Sequence, residues 1–110
     1  MKQYQIENKE TLEDIVETLV TTTVSNFVWK TLYRNFGIPS EIKKTLIYNK
    51  LIKEHKITQL YNDLLEKYIK KFSSKNNDMF ELSAHERMKD FNRIDDYLTS
   101  NFKEYVLNQA

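Results

Sequence analysis

Apolar residues recur every three or four positions through most of the chain, the spacing of helices with one buried face. Leu12, Ile15, Val16, Leu19, Thr23 and Phe27 share one face at about 100° per residue. The phase then shifts, and Val28, Trp29, Leu32, Tyr33 and Phe36 centre on roughly the opposite side of the same ideal helix. At the change stand Val20-Thr21-Thr22-Thr23-Val24, β-branched residues that are each about 0.5 kcal/mol poorer than alanine in a helix. The expectation is one continuous or bent helix whose two halves bury against different neighbours. A break or short strand at residues 20–25 is the alternative.

The chain's only glycine and only proline fall together in Asn35-Phe36-Gly37-Ile38-Pro39-Ser40-Glu41. Glycine enters the left-handed conformation that closes a helix, and proline cannot continue one. A corner is expected there, with Ser40 or Ile38 opening the next helix and Pro39 and Glu41 in its first turn. In that helix Ile42, Leu46, Ile47, Tyr48, Leu51 and Ile52 imply burial over a wide arc. A turn is expected at residues 55–58, with Thr58 capping a third helix; the alternative is that the two helices run together. Leu60, Tyr61, Leu64, Leu65, Tyr68, Ile69 and Phe72 make that helix a clean stripe.

Ser73 to Asp78 reads as a surface loop, and Met79, Phe80 and Leu82 as a single apolar turn plugging the core. Ser83-Ala84-His85-Glu86 matches a capping box for a last helix, whose face is Ala84, Met88, Phe91, Ile94, Leu98, Phe102 and Tyr105. At the other end, residues 1–8 read as a loose tail, with Asn8 as the first helix cap. The fold expected is all-α: one domain over residues 1–110, a compact antiparallel bundle of four to five helices cornered at Gly37–Pro39.

Composition narrows the function classes. One glycine and one proline in 110 residues argue against an all-β protein or a phosphate-cradling loop. The absence of cysteine removes disulfides and thiolate chemistry, and no basic-then-apolar leader opens the chain, so a cytoplasmic location is expected. The usage of 14 lysines against three arginines, with abundant asparagine and isoleucine, is that of an AT-rich genome, a low-GC bacterium or its mobile elements.

Charge is unevenly spread beneath a net +1. Residues 43–75 carry nine lysines against Glu54, Asp63 and Glu66, while both ends are acidic. Lys43, Lys44, Lys50, Lys53, Lys56, Lys67, Lys70, Lys71 and Lys75 could face phosphates, which makes a DNA-binding regulator using helices 40–75 one alternative. The match to a helix-turn-helix is poor. Tyr33 precedes Gly37 by four residues, where close packing wants a small side chain, and Lys43 fills an apolar position.

Catalytic signals are weak. His55 and His85 lie far apart, and no glycine-flanked serine, metal-ligand spacing or carboxylate pair appears, so no catalytic, cofactor or metal residue is assigned. A small hydrolase or nuclease acting through His55, His85 or Asp95 is the least favoured class. Asp95 falls inside the last helix's apolar face, where a buried carboxylate needs donors: a structural network with a tyrosine, lysine or helix-end N–H, or an anchor for a partner. Fourteen aromatics include Tyr48 and Tyr97 at the edges of their helices' faces and Trp29 on the phase-shifted stretch, placements that favour protein contacts.

The favoured expectation is a non-catalytic protein-binding module. It would be an inhibitor or regulator of phage or mobile-element type that occupies a larger protein's surface, with a nucleic-acid-handling complex as its target. The residues expected to meet a partner are Trp29, Tyr33, Tyr48, Lys43, Lys50, Lys53, Lys67, Lys70, Lys71, Asp95 and Tyr97. Homodimerisation through residues 28–36 is a separate expectation.

Overall fold

A computed structural model describes residues 3–6, 9–54, 57–74 and 80–110. In chain order it contains β1 (Gln3–Ile6), α1 (Lys9–Phe36), α2 (Glu41–Glu54), α3 (Ile57–Ser74), β2 (Phe80–Ser83) and α4 (Ala84–Gln109). The all-α architecture is present as four helices, with one short ribbon added. β1 and β2 pair antiparallel, Gln3 opposite Ser83 and Ile6 opposite Phe80. A loose tail and an apolar turn were expected at these places. Both segments alternate polar and apolar residues, QYQI and FELS, which is the strand period, but each is too short to announce itself without the other.

α1 is continuous through the β-branched run. Thr21 Oγ1 donates to the Glu17 carbonyl at 2.8 Å and Thr23 Oγ1 to the Leu19 carbonyl at 2.6 Å, so these hydroxyls are satisfied inside the helix. Val20, Thr23 and Val24 are buried, and packing overrides their weak propensity. The change of phase is a gradual rotation. Leu12, Val16, Val20, Val24, Val28 and Leu32 are all buried at steps of four residues. Each such step overshoots a turn by about 40°, so the buried stripe winds through about 200° along the helix. α2, α3 and α4 all pack against α1, which forms the centre of the core.

The corner forms as a left-handed helix cap. Gly37 has φ +81°, and its N–H donates to the Tyr33 carbonyl at 3.0 Å. Ser40 caps α2, its Oγ accepting from the Lys43 N–H at 3.1 Å. Pro39 therefore stands just before the cap rather than in the first turn. Ser83 caps α4 as the sequence implied, accepting from the Glu86 N–H at 3.1 Å. Thr58 does not cap α3, which begins at Ile57, and Ser73 and Ser74 extend that helix rather than open a loop. Asn8, His55, Lys56 and residues 75–79 lie outside the described residues.

α2 and α4 are antiparallel, as are α3 and α4. Lys50 donates to Gln109 and Tyr105 to Glu54, while Lys67 and Tyr68 meet Asp90. α1 and α4 depart from the expected antiparallel order. Ile15 and Leu19 share a groove with Ala84 and Met88, and further along both helices Lys30 meets Asp95, so the pair crosses in the same general sense. The ribbon explains this: β1 leads into α1 and β2 into α4, which brings the two helix starts to one end of the molecule.

Candidate protein-docking surface

The helix-period reading of α2 placed Ile42 and Leu46 in the core. They are exposed instead. α2 reaches α1 along Ile47 and Leu51, with Tyr48 and Ile52 half-buried, and nothing among the described residues covers the turn that carries Ile42 and Leu46. At the end of α1, Tyr33 and Phe36 are exposed too, and Ile38 protrudes from the corner. Exposure of these five side chains runs from 52% at Tyr33 to 82% at Ile38. Only Met88 and Tyr97 join them as exposed large apolar residues among the described residues.

This corner has internal order. Trp29 stacks on Tyr33 with ring centroids 5.6 Å apart and planes 24° from parallel. Lys44 Nζ lies 5.2 Å from the Trp29 ring centroid and 3.1 Å from Glu41 Oε2. The first turn of α2 is thereby held against the last turns of α1. Lys43 is exposed, and Lys50 donates to Gln109 at 3.2 Å.

The structure gathers only some of the residues expected to meet a partner. Trp29, Tyr33 and Lys43 belong to the corner, and Lys50 and Lys53 are exposed further along α2. Tyr48 packs against the core, its phenol pKa raised by burial and then by the Glu17 carboxylate. Lys67 and Lys70 belong to ion pairs, with Asp90 at 2.6 Å and Glu66 at 3.3 Å, and Lys71 is half-buried. Tyr97 lies on α4, edge-on to Phe102 at 6.0 Å.

Asp90 is the more deeply buried carboxylate; Asp95 is half-buried and meets a lysine, one of the partners expected for it. Asp95 accepts from Lys30 at 2.9 Å, and its side chain is 18% exposed. Asp90 is 3% exposed and lies one turn before Ile94 and two before Leu98, in line with the buried stripe of α4. Tyr68 Oη donates to Asp90 Oδ2 at 2.5 Å and Lys67 Nζ to Oδ1 at 2.6 Å. Arg93 adds a longer contact at 3.7 Å. Burial, then the bond to Asp90, pushes the Tyr68 phenol far above its ordinary value. Each oxygen of the carboxylate has a donor, so this triad is a structural network that ties α3 to α4.

A groove of about 510 Å³ runs between α1 and α4, walled by Ile15, Leu19, Met88 and Phe91. Its charged lining groups, Asp14 and Arg87, have opposite sign, and no nucleophile–base pair faces it. Among the described residues no cluster of three or more histidine or acidic side chains could hold a metal ion. No helix among them is long and apolar enough to cross a membrane.

No protein-family model matches the chain, and no curated protein or solved structure matches it.

Proposed function

We propose that this chain is a protein-binding module that docks on another, larger protein through the α1–α2 corner. The observation that carries this reading is the exposure of five large apolar side chains, Tyr33, Phe36, Ile38, Ile42 and Leu46, within fourteen residues spanning the end of α1, the corner and the start of α2. Large apolar side chains left exposed close together along a folded chain mark an interaction surface more often than singly scattered ones do. Inhibition or regulation is what such a module performs, by occupying a surface that its partner needs.

Two features favour a protein over a nucleic acid. The corner's centre is apolar rather than basic, and α3's Lys67 and Lys70 are neutralised by Asp90 and Glu66 rather than presented as a phosphate-binding row. The test is affinity capture from the native host with and without nuclease, comparing the natural chain with an Ile42→Asp/Leu46→Asp variant. A protein retained after nuclease and lost with the variant supports the reading. Retention that depends on nucleic acid, or that ignores the variant, refutes it.

A further inference from the structure

The groove between α1 and α4 lies well away from the corner. It opens along the first half of α1, and from Ile15 to Phe36 that helix rises about 30 Å. Ile15, Leu19 and Phe91 on its walls are half-buried, and Met88 is 57% exposed. Apolar walls left open to water gain from an occupant.

Charge says which occupant fits. Asp14 is exposed in the groove and forms no ion pair among the described residues. It belongs to a stretch of one sign: Glu10, Glu13, Asp14 and Glu17 stand on α1 with no cation between Lys9 and Lys30. The α4 wall contributes Arg87, whose guanidinium has five N–H donors and can serve more than one acceptor. A partner surface of one sign would be drawn to one wall and repelled by the other. A surface holding both signs complements itself. In a two-fold pair, a contact from Asp14 of one copy to Arg87 of the other is matched by the reverse contact.

We infer that the α1–α4 groove is the interface of a two-fold dimer of this chain. Met88 of each copy enters the groove of the other, where its unbranched thioether chain adapts to the space between Ile15, Leu19 and Phe91. Asp14 and Arg87 set the pairing through two symmetry-related charge contacts. This surface differs from residues 28–36, and it leaves the α1–α2 corner free for the larger partner proposed above.

The test is sedimentation equilibrium of the whole chain across a dilution series. The natural chain is expected to be dimeric at the concentrated end and to dissociate on dilution. Met88→Asp should weaken the dimer at least about tenfold. Asp14→Arg and Arg87→Asp, each studied alone, place like charges at both contacts and should be monomeric where the natural chain is dimeric. Mixed in equal amounts, the two variants restore opposite charges at both contacts, and the dimer should return. Circular dichroism checks that each variant folds; Met88→Asp and Asp14→Arg change exposed side chains and keep the test decisive without Arg87→Asp.

A monomer at every concentration overturns the inference and assigns the groove to a different protein or an apolar ligand. A dimer that survives Met88→Asp and Asp14→Arg overturns it as well, and one abolished by Ile42→Asp/Leu46→Asp belongs to the corner instead. Variants that stay monomeric when mixed overturn the crossed charge contacts. The docking reading of the corner is unaffected by a monomer, because its own test is retention of a second protein.

Discussion

Replacing Tyr68 by phenylalanine removes one oxygen from the interior and changes little else in shape. Tyr68 is fully buried, and its hydroxyl is the donor to Asp90 Oδ2 at 2.5 Å. Lys67 still reaches Oδ1 in the variant, but the second oxygen loses its partner in a site where Asp90 is only 3% exposed. A hydrogen bond to a charged group contributes about 1.5–3 kcal/mol, and a chain of this length has a total stability of roughly 5–15 kcal/mol. Tyr68→Phe should therefore cost about 2 kcal/mol, a fall in Tm of about 10 °C.

Asp90→Ala should cost more, about 3–5 kcal/mol, because it leaves both the phenol and the lysine without their acceptor. The double variant should fall short of the sum by about 1–2 kcal/mol, since the two side chains share one interaction. Urea unfolding followed by far-ultraviolet circular dichroism measures all three.

Titration gives an independent check. The folded chain holds Tyr68 protonated well above the pKa of about 10 that it has when unfolded. Below pH 10 this stabilisation is fully present. Above it the unfolded chain sheds the proton while the folded chain keeps it, so stability falls with rising pH by up to about 1.4 kcal/mol per pH unit. Tyr68→Phe lacks that contribution, so the gap between natural chain and variant should narrow as pH rises past 10. A Tyr68→Phe variant within about 0.5 kcal/mol of the natural chain, with the same alkaline slope, would refute the network's role.

Asp95→Asn tests the contrast between the two carboxylates. Its partner Lys30 is part-exposed, so the change should cost less than about 1 kcal/mol in the same urea assay. Gly37→Ala puts a side chain at φ +81° with open space around its Cβ, so the loss is backbone strain alone, about 1–2 kcal/mol, with Gly37→Asn milder. Ser83→Ala removes the cap of α4 and should cost about 1 kcal/mol, visible as a lower urea midpoint at unchanged slope. Ile42→Asp and Leu46→Asp change exposed side chains, so each should leave stability within about 0.5 kcal/mol, whereas Leu98→Ala in the core should lose about 2–5 kcal/mol.

Of the candidate surface, the sequence announced Trp29, Tyr33 and Lys43 and misjudged the neighbours that complete it. Ile42 and Leu46 satisfy the helix period as well as Ile47 and Leu51 do, so periodicity alone assigned them to the interior. Asp90 escaped notice for a related reason. The apolar face of α4 was read from Ala84, Met88 and Phe91 through Ile94 and Leu98 to Tyr105; Ile94 and Leu98 are buried, but before them the buried line passes through Asp90 while Met88 is exposed. The pair Lys67-Tyr68 on α3 was the available signal, a cation and a phenol side by side in need of an acceptor.

Local chemistry by itself determined the helical class, the corner at Gly37, the cap at Ser83 and most of the core. Each of these depends on interactions within a few residues: a left-handed φ, a hydroxyl reaching an N–H three positions on, an apolar stripe of fixed period. Tertiary structure decided which way the stripes turn. α1 winds its buried face through about 200° because three helices surround it, and the β1–β2 ribbon sets α1 and α4 in the same sense. α2 is covered on one side only, and that leaves the corner bare. Burial is a property of neighbours, and neighbours distant in sequence are not encoded in any one segment's period.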